Sequence, residues 1–124
     1  MTIQLALAAL GGLFVGSALA FAVSAQKAPP AYFIAESIVT NPQADSAVIA
    51  KLPATAQPYG EKYLARGKIV SFGGEPPKRL VIVAFDSMAH AQAWRAYPQV
   101  KALEEERKSI GTTLRLYAVE GLSQ

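Results

Sequence analysis

The stretch Arg79-Leu80-Val81-Ile82-Val83-Ala84-Phe85 is apolar on both sides of an extended chain: Leu80, Ile82 and Ala84 fall on one face, Val81, Val83 and Phe85 on the other. Such a strand cannot lie on a sheet with one side in water. It belongs in the middle of a sheet that is covered above and below. Ala31 to Thr40 repeats the pattern, with Tyr32, Ile34 and Ile38 on one side and Phe33, Ala35 and Val39 on the other. Glu36 interrupts the first set and Ser37 the second.

The segments between these two strands follow from their breakers. Asn41-Pro42 supplies a helix N-cap and a proline suited to the first helical position. The helix that follows has Ala44, Val48, Ile49 and Leu52 on its inner stripe. Pro53 ends or kinks it near Leu52, and a short second piece reaches Gln57 before Pro58. Tyr59 to Gly74 reads as a second extended region, interrupted at Gly67 and continued by Ile69, Val70 and Phe72. Gly73 to Lys78 is a Gly- and Pro-rich turn.

After Phe85, Ser87 caps a helix from Met88 to about Tyr97, with Ala91 and Trp94 inward. Pro98 separates it from a helix spanning Gln99 to Ile110, whose inner stripe is Val100, Leu103 and Ile110. Gly111 closes that helix, and Thr112 to Val119 is the last strand. Strand, helix, strand, strand, helix, strand is the split βαβ, ferredoxin-like arrangement of the α+β class. It predicts a four-stranded antiparallel sheet in the order 4-1-3-2. Helices cover one face. No residues remain for the other, so a second copy of the chain is the expected cover, giving a homodimer whose sheets close into a dimeric α+β barrel.

Location is written at the other end of the chain. All 12 Lys/Arg and 9 Asp/Glu lie after Gln26, and Ile3 to Val23 is almost wholly apolar. Residues 1–25 therefore read as a signal peptide with Val23-Ser24-Ala25 before the cut, or as a membrane anchor if they stay. Residues 26–30 are a linker, 31–121 the domain and 122–124 a tail. The expected address is periplasmic or extracellular, with a membrane involved only through residues 1–25 if they are uncleaved. The chain has no Cys, which excludes disulfides, thiolate nucleophiles and Cys-based metal sites. Its net charge of +3 comes from charges of both signs without a basic run, which argues against a nucleic-acid surface.

Tyr32, Pro58-Tyr59-Gly60, Tyr63-Leu64-Ala65-Arg66-Gly67, Arg79 to Met88 and Ala91-Gln92-Ala93-Trp94, taken in order, resemble the family called domain of unknown function 1330. The resemblance covers about Ala31 to Gly121. It implies a dimeric α+β barrel and carries no reaction with it. The chain departs from the family pattern at Glu61, Lys68, Gly74 and Tyr97.

For a site, four residues stand out. Glu36 lies among apolar strand residues, where a carboxylate wants a cation, and Arg66 is the expected partner. Tyr59, Arg66 and Trp94 offer stacking and hydrogen bonding. Glu36, Tyr59, Arg66 and Trp94 are thus the expected ligand-binding set, for a small apolar or carbonyl-containing molecule. His90 is the single histidine, and with no carboxylate evident beside it reads as a surface or capping residue. No phosphate loop, G-x-S-x-G or H-E-x-x-H motif is present, so no catalytic residue, cofactor or metal is assigned. Two other readings stay open: a cofactor-independent enzyme resembling barrel monooxygenases or isomerases, and a membrane-tethered interaction module.

Overall fold

In the computed structural model, residues 28–123 are described; the expectations on residues 1–25 lie outside them. Strand β1 (Ala31–Ile38) leads into helices α1 (Pro42–Ile49) and α2 (Leu52–Ala56) and a 3₁₀ turn (Gln57–Tyr59). Strands β2 (Lys62–Ala65) and β3 (Arg79–Phe85) follow, then α3 (Met88–Ala96), α4 (Pro98–Ser109) and β4 (Thr113–Glu120). The sheet order is β2-β3-β1-β4, all pairs antiparallel, with the two strands that are apolar on both faces in the centre.

The caps form where the side chains allow them. Asn41 accepts from the Ala44 amide at 3.2 Å, and Ser87 from the His90 amide at 3.1 Å. Pro53 splits the first helical segment as expected. It occupies the first turn of α2, where its missing N–H is no loss.

Registry fixes which residues share a face. Phe33 lies opposite Val83 and Ala118, and Glu36 opposite Leu80 and Arg115. Ala31, Phe33, Val83 and Phe85 therefore face the helices, where they bury against Ala56, Ala91, Trp94 and Val100. Trp94 is the hub. Its ring meets Phe33 edge-on at 5.2 Å and Phe85 at 5.4 Å. Its Nε1–H donates to Thr55 Oγ1 at 3.0 Å, and that hydroxyl donates on to the Leu52 carbonyl at 2.6 Å. An indole cannot be buried without such a partner.

The opposite face carries Tyr32, Ile34, Ile38, Leu80, Ile82 and Val119, and among the described residues no helix lies above it. Ile38 and Val119 are about half exposed. The ends of the fold meet: the Gly121 amide donates to the Pro30 carbonyl at 2.6 Å, beside the Ala31–Glu120 pair.

One expectation fails. The second extended region is a strand only over Lys62–Ala65, not to Gly74. A register shift between Tyr63 and Ala65 bends the chain, and Gly67 follows. Ile69, Val70 and Phe72 have strand chemistry but, among the described residues, no neighbouring strand.

Candidate functional site

A cavity of about 170 Å³ opens between β3 and the α1–α2 segment. Phe33, Val81, Val83, Leu52 and Trp94 make its apolar wall. Trp94 reaches it because α3 packs its inner stripe on the sheet. The tethering of its indole to Thr55 holds the ring at the cavity's back. Tyr63, Arg66 and Arg79 bring polar groups to the same space. The short β2 edge supplies Tyr63, paired with Val83 and so pointed to the helix side. Arg66 comes next in the chain after β2 ends, with its guanidinium 5.9 Å above the Tyr63 ring.

The electrostatics favour an anionic or carbonyl oxygen. Burial pushes the Tyr63 phenol above its ordinary range, the Glu61 charge adds to this, and Arg66 opposes it. Tyr63 is therefore a neutral hydrogen-bond donor at physiological pH. Burial also raises the Glu61 carboxyl. Among the described residues, those lining the cavity include no histidine and no carboxylate, so it holds no ordinary general base.

Behind the cavity lies a buried ion pair absent from the expected site. The Asp45 side chain is fully buried in the first turn of α1. It accepts from Arg107 Nε at 2.8 Å, Arg107 Nη2 at 3.1 Å and Thr112 Oγ1 at 2.8 Å, while Arg79 stands 3.8 Å away. Burial pushes its carboxyl up. The hydrogen bonds from Arg107 and Thr112 and the charges of Arg107 and Arg79 outweigh that, and the net direction is down. Arg107, a cavity-lining residue from α4, is thereby held in place and its charge is already matched. Arg79 is partly engaged by Asp45 as well, so among the described residues Arg66 is the cavity-lining cation without a carboxylate partner.

The four expected ligand-binding residues do not converge. Arg66 and Trp94 share the cavity. Tyr59 lines a separate surface hollow with Pro58, Tyr97 and Gln99, its ring also packed against the core. Glu36 is on the other face of the sheet. The expected Glu36–Arg66 pair is not formed: Glu36 instead accepts from the Tyr117 hydroxyl and lies opposite Arg115. That bond is the chief reason the Tyr117 phenol is pushed up. The cause of the error is parity, since even-numbered residues of β1 face away from the helices, while Arg66 follows a strand edge that turns toward them. His90 does have a carboxylate nearby, Asp86 Oδ2 at 3.9 Å, but both side chains are largely exposed.

Tyr63, Arg79, Asp45 and Arg107 were missed. For Arg107 the signal was present: it falls between Leu103 and Ile110 on the inner stripe of α4, a place where a charge needs a buried partner.

A four-stranded antiparallel sheet in the order β2-β3-β1-β4 with helices on one face is a ferredoxin-like α+β fold. The chain belongs to the family described as domain of unknown function (DUF1330), whose model matches residues 30–122. Among solved structures it is similar to SnoaB, a cofactor-independent oxygenase from Streptomyces nogalater, at 11% identity and a TM-score of 0.57, over 78% of this chain and 97% of that one. It is similar to a protein of unknown function from Rhodopseudomonas palustris, at 14% identity and a TM-score of 0.52, covering 87% and 94% of the two chains. A dimeric ferredoxin-like protein of unknown function from Thermobifida fusca matches at 19% identity and a TM-score of 0.51, over 74% and 92%. At these identities the likeness is one of fold. No curated protein matches the chain.

Proposed function

We propose that this protein is an exported homodimer that binds a small, mostly apolar molecule bearing a carboxylate or carbonyl group in the cavity between sheet and helices. The observation that carries the reading is an apolar pocket walled by Phe33, Val83 and Trp94 and lined also by Arg66, which has no carboxylate partner among the described residues. The apolar body of the ligand packs on Trp94, and its oxygen takes hydrogen bonds from Arg66 and the Tyr63 hydroxyl. Of the four residues expected to bind, Arg66 and Trp94 keep that role; Glu36 belongs to the interface between protomers.

Dimerisation is supported by the open face, where Ile34, Leu80, Ile82 and Val119 need cover, and by the likeness to the dimeric ferredoxin-like protein from Thermobifida fusca. Export rests on the uncharged run up to Gln26. An intact mass beginning at Gln26 supports it, and a mass retaining Met1 argues for the tethered alternative.

Binding is preferred to catalysis because the cavity has a donor and cations but no base. The test is calorimetry with hexanoate and benzoate on the wild type and on Arg66→Ala. The expected result is saturable binding that the substitution weakens at least tenfold while the melting temperature stays put. Failure of both probes to bind, or equal binding to both proteins, refutes the assignment. Oxygen consumption on a bound substrate would instead favour the oxygenase-like reading.

A further inference from the structure

The ligand cavity shares its back wall with a second space. Phe33, Ala35, Leu52, Trp94 and Arg107 border both. The second space holds about 60 Å³ and is closed by Leu114 and Leu116 of β4 and by Arg95 and Glu104 of α3 and α4. Phe33, Arg95 and Leu116 in turn border a third space, a groove of about 450 Å³ between α3 and β4. Met88 and Ala118 give that groove apolar walls, and Gln92 and Lys101 give it a polar rim. Strand order sets the three in a line. The first lies against β2 and β3 through Tyr63, Val81 and Val83, the second against β1 and β4, the third at the β4 edge. From β2 to β4 is three strand spacings, about 14 Å.

Size and charge say what can lie along this line. An apolar cavity of about 150 Å³ holds a benzene ring. The first space, about 170 Å³, therefore accepts a ring, and the middle one does not. A single chain of methylenes is what fits there. The two arginines of the middle space are already matched, Arg107 by Asp45 and Arg95 by Glu104. An anionic head gains nothing at that point and would lose its hydration. The Arg95 guanidinium also stands 5.9 Å from the ring centres of both Phe33 and Trp94, so its methylene stem joins the two rings in an apolar throat.

We infer that the three spaces form one passage and that the ligand is an unbranched aliphatic carboxylate: its head sits at Arg66 and Tyr63, and its tail runs past Trp94 and Arg95 to the groove at β4. The inference rests on the carboxylate-binding reading above and names the shape of the molecule.

Calorimetry with hexanoate, decanoate and cyclohexylbutanoate, which has as many carbons as decanoate but ends in a ring, tests it on the whole protein. If hexanoate does not bind, the carboxylate site and the passage fall together. Given hexanoate binding, each further buried methylene is worth up to about fourfold in affinity. Decanoate should therefore bind at least tenfold more tightly than hexanoate and at least tenfold more tightly than cyclohexylbutanoate. Decanoate no tighter than hexanoate, or matched by the ring-ended acid, overturns the passage and leaves the first cavity standing. Leu116 borders the second and third spaces and not the first. Leu116→Phe should then abolish the gain from hexanoate to decanoate and leave hexanoate affinity unchanged; a retained gain rejects the passage. Labelling of the wild type needs no variant to fold. Decanoate carrying a photoreactive diazirine at its tail should mark Met88, Gln92 or Lys101. Marking of Ile49, Pro53 or Val81 instead means that the tail folds back into the first cavity, and it overturns the inference.

Discussion

Replacing Asp45 by Asn tests the interior of the domain with the shape of the side chain kept. Three hydrogen bonds end on this carboxylate, two of them from Arg107. The Asp45 side chain is 0% exposed and that of Arg107 9%, so water cannot replace what is lost. The amide still accepts from Thr112. It removes the countercharge of Arg107 and sets an NH2 group against a guanidinium that only donates. Leaving one buried charge unmatched costs about 3–5 kcal/mol. Arg79 is half exposed and turns to solvent at little cost. For a domain of this size each kcal/mol is about 4–8 °C in melting temperature, so a fall of roughly 12–40 °C is expected. The assay is urea unfolding at neutral pH, with Asp45→Leu/Arg107→Met as the companion. Removing both charges should restore much of the loss. The acid limb carries a second check. The folded carboxyl is depressed, so its stabilisation is complete above the unfolded value of about 3.9 and is lost as pH falls through the folded one. Wild type and variant should converge in strong acid. A loss under about 1 kcal/mol, with an unchanged denaturant slope, would refute the claim that this pair ties α1 to α4.

Other outcomes follow from single contacts. Gly60→Ala should cost about 1–3 kcal/mol, because φ is +75° and a new Cβ would run into the Asp86 carboxylate; thermal denaturation reads it. Thr55→Val should lose about 1–3 kcal/mol by orphaning the Trp94 N–H, with a shift in tryptophan fluorescence that Thr55→Ser does not show. In a spectrophotometric titration, Tyr63 should ionise above the ordinary tyrosine value, and Tyr63→Phe should delete that component. Because the folded value is raised, the associated stability is present below about 10 and disappears as pH climbs through the folded value.

Face assignments along β1 and β3 were legible because strand alternation is a local property that survives any tertiary arrangement. Asn41 and Ser87 were legible for the same reason: a cap acts within three residues of itself. What failed was non-local. Asp45 and Arg107 lie 62 residues apart, and an acidic residue in a first helical turn is also what a solvated helix favours. The Glu36–Arg66 pairing required knowing which way the chain turns after β2, and the register shift at Tyr63–Ala65 decides that. Ile69, Val70 and Phe72 read as strand on propensity alone, and propensity does not say whether a partner strand is within reach.

The bond from Gly121 to Pro30 has a mechanical consequence. Ala31 begins β1 and Glu120 ends β4, side by side in one ladder. A pull applied to the two termini loads that ladder from its end, rung after rung, as a zipper is opened. The domain should resist heat and denaturant through its core, yet give way to modest tension on its own ends, with the central strand peeled from its neighbour first.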